Sequence, residues 1–525
     1  MGATGTTGST PGVGSNARRV SALAVPFLGF LGGVQGACPN IAATALVGAS
    51  RSLHLAGSTQ ALAASVQTLC IAATAISTGL LADRLGRRHV LMVALVVGGL
   101  GNLVVLLSPT AGVYMVGMAI TGVGLGAVYG CAFGYLNAVV TPARRASAMG
   151  VFVAVIMGST VILTFIGGTM ASADWRVAYL LIPTMCLVAV VLTPVILPKV
   201  ERVRGDKLDL PGQGLLMAGV VLFLYSVSQL AHSLTSPQTL APLVLGLALL
   251  GAFYRWEATY SGHFYPVSLF RSPVFLAALC AGFIYNFGTS IAFLQATNLW
   301  QYVNGLKTSQ VALWQLPLMI SGILAGLVIG RAMAKGLPAR FAILAGGTSS
   351  AAGFVCLALF HASHTFAGFL PGLVLVGAGV AMASVPFGSL ILQVAPPEHL
   401  GPVSSSHLTF GQIFYTIGLS ISTVVIDRLT TGGVVHRLGH AGVPPNQLAT
   451  GIDAVDAYAA KGTAPTASLG KQALADAVVS YGHAFATMML IAGAVSLGVA
   501  VVAFFLLAAE EHTPVAVSSP VPVPA

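Results

Sequence analysis

The chain has 525 residues, of which 56% are hydrophobic and 7% are charged, and its mean hydropathy is +0.90. Soluble domains carry about 25% charged residues, so 23 Lys and Arg with 13 Asp and Glu cannot give a fold of this length a polar shell. The formal charge of +10 does not point to nucleic acid, because the basic residues fall in short clusters between apolar runs and form no basic face.

Residues 1–22 read as a Gly/Thr/Ser-rich cytoplasmic tail ending near Arg18 and Arg19. The apolar run that follows, from Leu23 to about Val47, exceeds the hydrophobic region of a signal peptide and reads as a first membrane helix. A span needs roughly 20 mostly apolar residues. In chain order the candidates are 23–48, 60–81, 90–108, 112–138, 149–170, 177–198, 210–231, 239–256, 274–297, 309–331, 341–360, 367–393, 403–426 and 482–508. The expectation is therefore an all-α polytopic membrane protein of about 14 transmembrane helices. The first span is full of Gly and polar atoms, and 239–256 is short.

The connections agree with that count. With the N-terminus inside, sixteen of the 23 Lys and Arg fall on one side, the asymmetry expected of cytoplasmic loops. An even count places both termini in the cytoplasm of a multi-pass cell-membrane protein. One connection is long, 427–481, and its stretches GIDAVDAYAAKG and LGKQALADAVVS read as short amphipathic helices in an outer loop. Residues 509–525 read as a disordered tail. Many of the 62 glycines lie inside apolar runs, where they let helices approach closely. All six cysteines lie in apolar segments and suggest small buried hydrophobes, with no disulfide framework.

No phosphate-binding Gly loop, no G-x-S-x-G and no His/Cys/Asp metal cluster stands in the sequence. The chain is expected to be no enzyme and to carry no cofactor or metal.

The loop after the second span reads Gly79-Leu-Leu-Ala-Asp83-Arg84-Leu-Gly86-Arg87-Arg88. It resembles the loop signature of the major facilitator superfamily, G-x-L-A-D-R-x-G-R-[KR]. Gly79 allows close helix contact and Gly86 a tight turn, while Asp83 can cap a helix or pair with a nearby Arg to latch the inward-closed state. Other stretches resemble the superfamily's fourteen-span drug:proton antiporter branch: Val34-Gln35 to Asn40, Gly122-x-Gly124, Gly167-Gly168, Trp175-Arg176, Gln315-Leu-Pro317 and Gly401-Pro402-Val-Ser404. The resemblance implies six-helix bundles at 23–198 and 274–508, two inserted helices with linkers at 199–273, and alternating access around a midplane site.

The chain departs from that branch where coupling is concerned. Gln35 stands where the family usually places an Asp, Met118 where it places an Arg, and Leu163-Thr164 where it places Gly-Pro. An intramembrane carboxylate is the usual proton relay, and a Gln cannot titrate. His407 and His483, which open the thirteenth and fourteenth candidate spans, remain as candidates for proton coupling. Polar and aromatic residues within the spans mark a pathway: Gln35, Asn40, Gln67 with Thr68, Asn286, Gln295, Asn298, Trp314, Gln315, Gln412 and Tyr415. Such a lining has amides and aromatic faces but no fixed charge, and favours amphipathic, hydrophobic or lipid-like cargo. The reading is a monomeric secondary active transporter that exports small molecules, in contact with membrane lipids and with protons as a candidate coupling ion. The alternatives are an uncoupled uniporter or lipid translocator of the same fold, and a non-transporting receptor.

Overall fold

The computed structural model describes residues 23–53, 57–141, 144–200, 209–230, 236–260, 264–306, 308–461 and 465–511. The expected tail 1–22 and most of the tail 509–525 lie outside the described residues, as do Arg202, Arg204 and Lys207 of the central connection. Every long element is a helix. The first half holds α1 (Ala24–Leu53), α2 (Gly57–Leu85), α3 (Arg87–Leu106), α4 (Ala111–Val139), α5 (Arg145–Ala173) and α6 (Leu181–Ile196). Then come α7 (Leu210–Gln229) and α8 (Pro237–Thr259). The rest comprises α9 (Pro273–Tyr302), α10 (Thr308–Ala334), α11 (Ala339–Leu359), α12 (Phe366–Val394), α13 (Leu400–His440), α14 (Pro445–Lys461) and α15 (Ser468–Glu511).

Thirteen of the described helices are long and apolar enough to cross a membrane. The helix α1 is not among these, although it lies inside the bundle against α4 and α5. Its glycines have a packing role. Gly29, Gly32, Gly33 and Gly36 recur on the face that meets α5, where an added Cβ would collide with Phe152, Ile156, Ser159 or Thr160. The hydroxyl of Thr160 donates to the Gly33 carbonyl at 3.3 Å. Small residues of this kind let helices approach closely within a bilayer.

The expected outer connection 427–481 is helical over most of its length: GIDAVDAYAAK falls in the short helix α14, as expected, whereas LGKQALADAVVS opens the long helix α15. The helix α13 continues unbroken to His440, and α15 begins at Ser468, so both project past the bundle with α14 packed on them. Asp427 is thus a mid-helix residue, and His483 lies well inside α15. Val434, Leu438, Ala473 and Ala477 form a small core of their own in this projection, which explains why helix continues where hydropathy falls.

The glycine pair of α4 faces two neighbours. A Cβ on Gly122 would meet the backbone of Gln67 on α2, and one on Gly124 the backbone of Gly98 on α3. Side-chain ties reinforce the packing. The Asn102 amide donates to Thr121 at 3.1 Å, and the Tyr114 and Tyr179 hydroxyls lie 2.8 Å apart. The Arg176 guanidinium lies over Trp175 and donates to the carbonyls of Leu106 and Ser108, which would otherwise end α3 unsatisfied. The inserted hairpin α7–α8 is closed by Asp209. Its carboxylate caps α7 at the Gly212 amide and accepts from the Trp256 indole at 3.1 Å.

Overpacking a tight contact costs about 1–3 kcal/mol, whereas Ala is a better helix former than Gly where space is open. Gly122→Ala and Gly124→Ala should each lower the melting temperature of the detergent-purified chain. Gly112→Ala, on the same helix with nothing within 4 Å of the new Cβ, should not.

Candidate functional site

The α2–α3, α10–α11 and α12–α13 turns lie at one end of the bundle, called here the basic end for Arg84, Arg87, Arg88, Arg331 and Lys335. The turn from α2 to α3 is made at Gly86, whose φ of +98° is a left-handed conformation that favours glycine. The α10–α11 turn repeats this at Gly336, φ +107°, although that loop lacks the acid.

At the basic end the two halves meet through glycine. A Cβ on Gly79 of α2 would overlap the Gly401 carbonyl and Ser405 of α13, and one on Gly130 of α4 would press on Ser405 at 3.0 Å. On the other side of the bundle a Cβ on Gly150 of α5 would stand 2.6 Å from the Gly326 carbonyl of α10, and one on Gly330 would stand 2.8 Å from the Ala146 carbonyl. Asp83 bridges the first of these seams. One carboxylate oxygen accepts from Arg87 at 2.6 Å and the other accepts from the Gly401 amide, at the N-terminus of α13. Both side chains of this pair are buried. A carboxylate there satisfies an amide that has no partner within its own helix and meets the positive end of the helix dipole. Arg145 adds a second tie, donating from α5 to the Leu392 carbonyl near the end of α12 at 3.3 Å.

Beyond these seams, toward the far end, lies a cavity of about 270 Å³ between the two halves. It takes residues from α1, α2, α4, α5, α9, α10, α12 and α13. Five of the ten pathway residues expected from sequence line it: Gln35, Asn40, Asn286, Gln412 and Tyr415, and Thr68 lines it too. Among the lining residues there is no Asp, Glu, Lys or Arg. Several polar groups fold back on their own helices, as Asn40 does to the Gly36 carbonyl and Asn286 to the Gly282 carbonyl.

The other five expected residues do not line the cavity. Gln67 donates to the Cys38 sulfur, and Gln295 donates to Ser422 at 2.8 Å while accepting from Tyr481. Asn298 also pairs with Tyr481. Gln315 donates to Thr297 at 2.6 Å, and Trp314 packs edge-on against Trp300 and tilted against Phe369. These side chains join helices to one another. The sequence reading missed the apolar part of the lining: Tyr129, Phe152, Met157, Tyr285, Phe293 and Met319. Spacing cannot separate such residues from ordinary core.

The two histidines part company. His407 lies two turns into α13, 8% exposed, and borders the cavity. Its ring stacks on Phe387 at 4.0 Å and on Phe133 at 4.3 Å, and Nδ1 lies 3.4 Å from the Tyr129 hydroxyl. Neither histidine opens a span as expected. His483 is exposed at the far end, 5.4 Å from the His361 ring, and has no part in the cavity.

Comparison with known proteins places this architecture. Residues 27–419 match the family model described as Major Facilitator Superfamily. The chain is 25% identical over 464 residues to the "Multidrug resistance protein B homolog" of Mycobacterium tuberculosis, covering 86% of this chain and 84% of that one. It is 23% identical over 452 residues to the "Multidrug efflux pump LfrA" of Mycolicibacterium smegmatis, covering 85% and 88%. Two solved structures share the fold. They are the human organic anion transporter MFSD10 (TM-score 0.58, 14% identity, 93% of this chain and 99% of that one) and the proton:xylose symporter XylE (0.57, 12%, 90% and 94%). A glycine-sealed end, a cavity between two helical halves and a family match over most of its length together make this chain a member of the Major Facilitator Superfamily.

Proposed function

We propose that the protein is a secondary active transporter that exports small amphipathic or hydrophobic molecules by alternating access. The observation that carries this reading is the uncharged cavity of amides, hydroxyls and aromatic faces between two halves that touch at the basic end. By the positive-inside rule the basic end faces the cytoplasm, so the conformer is closed inward. The names of the two mycobacterial relatives, a multidrug resistance protein and an efflux pump, support export. A cavity near 270 Å³ falls just below the roughly 300–1,000 Å³ of most ligand pockets and suits a compact cargo. Tyr129, Tyr285, Phe293 and Tyr415 offer it apolar faces, while Gln35, Asn286 and Gln412 offer amides.

The absence of a carboxylate from the lining favours a second reading, uncoupled uniport by the same fold. If protons do drive transport, His407 is the group at the cavity through which coupling runs. Two measurements separate these readings in proteoliposomes loaded with a panel of uncharged and cationic amphiphiles. Uphill accumulation under a pH gradient that vanishes in His407→Gln, with exchange of cargo retained, supports coupled export. Flux indifferent to gradients of either sign supports uniport. Absence of saturable flux across the whole panel contradicts both.

Cavity and seam variants should fail differently. A neutral hydrogen bond is worth about 0.5–1.5 kcal/mol, so Asn286→Leu and Gln412→Leu should each raise KM roughly two- to tenfold for a hydrogen-bonding cargo. Thr348→Val, exposed on α11, should leave KM unchanged. A charge-assisted bond is worth about 1.5–3 kcal/mol. Asp83→Asn should therefore lower the transport rate about tenfold or more with little change in KM, because it weakens the closed seam and leaves the cavity intact.

A further inference from the structure

Beyond the bundle, α13 carries His436 and His440 four residues apart on one exposed face. Their Nε2 atoms converge to 3.2 Å, with ring centroids 4.4 Å apart and ring planes at 65°. Side chains at i and i+4 of a helix stand one above the other. Here the two bring the same ring nitrogens together. Imidazole nitrogens bind a zinc-like ion at about 2.0–2.1 Å. Two such bonds closing on a 3.2 Å base subtend an angle of about 100°, close to tetrahedral. The pair therefore already holds the spacing a metal ion would impose.

The surroundings fit a cation with an open shell. His436 and His440 line a cavity of about 720 Å³ between the projecting parts of α13 and α15, and Asp476 and His483 line it from α15. Gly433 and Ser480 mark where these helices come closest, since a Cβ on Gly433 would stand 2.7 Å from the Ser480 oxygen. Asp476 of α15 lines the same cavity as the histidine pair. Arg437 lines the same cavity, so the acid also offsets a neighbouring positive charge. Among the described residues no three His, Cys, Asp or Glu side chains are arranged together for a metal, so water would fill the remaining positions. Nitrogen donors of this kind select Zn²⁺, Cu²⁺ or Ni²⁺ over Mg²⁺ or Ca²⁺, which take oxygen ligands.

We propose that His436 and His440 form a two-imidazole binding site for a divalent transition-metal ion at the far end of the protein, in a cavity that Asp476 also lines. The site is separate from the transport cavity, and it stands whether or not the proposed transport does. Its ion would brace one turn of α13 in the stretch that projects beyond the bundle.

The test uses the full chain, without a polyhistidine tag, in lipid nanodiscs. Equilibrium dialysis with Zn²⁺ should show a site that His436→Ala or His440→Ala weakens at least about tenfold, and that His483→Ala leaves within threefold. Cu²⁺ should give an electron paramagnetic resonance spectrum split by two equivalent nitrogens, reduced to one nitrogen in each single variant. Excess Mg²⁺ should not compete. Where an alanine variant fails to elute as a folded particle, His440→Gln keeps the helix and removes the ligand. Zn²⁺ binding unaffected by either substitution overturns the assignment. So does no binding at all, which would leave the pair as a simple hydrogen bond between two neutral imidazoles.

Discussion

The two halves meet backbone to backbone where α2 crosses α13, and the rest of the structure depends on that close approach. Lipid offers no hydrophobic drive for helices to associate, so their affinity comes from close packing and from the few polar groups they can share. Where α2 crosses α13, Gly79 and Gly401 remove the side chains that would hold the helices apart. Asp83 then reaches across to the Gly401 amide. A bulkier residue at either glycine would separate the carboxylate from its partner, so packing and electrostatics act at one point. Gly150, Gly326 and Gly330 repeat the steric half of this device between α5 and α10, without an acid.

Because the halves are pinned at one end, the space between them lies on the far side of the seams, and its chemistry follows from where charge is absent. Asp83 and Arg87 neutralise each other within the basic end. Farther in, several polar groups outside the cavity pair with one another across helices. Gln67 with Cys38 joins α2 to α1 and Asn102 with Thr121 joins α3 to α4, while Gln295 with Ser422 and Tyr481 joins α9, α13 and α15. Such networks rigidify the walls. Other amides and rings line the cavity, with His407 held against Phe133 and Phe387 at its edge.

Much of this is written plainly in the sequence, and the remainder is hidden for identifiable reasons. Helices are legible because a bilayer admits few alternatives, and the α2–α3 motif is legible because its glycines and acid each do a separate physical job. The glycines that make the first span hard to read are the ones that bring it close to α5. The rule that polar residues in spans face the interior found Gln35, Asn40, Asn286, Gln412 and Tyr415, but it equally selected Gln67, Gln295, Asn298 and Gln315. An amide facing another helix and an amide facing a cavity have the same position on the helix wheel. Only the neighbouring helix decides between them. The extent of α13 was likewise concealed, because its last turns are held by contacts with α14 and α15 that lie far along the chain.

The most direct test of the central claim is one-sided access to the cavity. The six native cysteines would be replaced and a single cysteine placed at Asn286, then challenged with a membrane-impermeant maleimide in sealed vesicles of either orientation. The account predicts that the resting protein reacts from the far side and is protected from the side bearing Arg87. Equal reaction from both sides, or reaction from the Arg87 side alone, would contradict the claim that the glycine seams close that end.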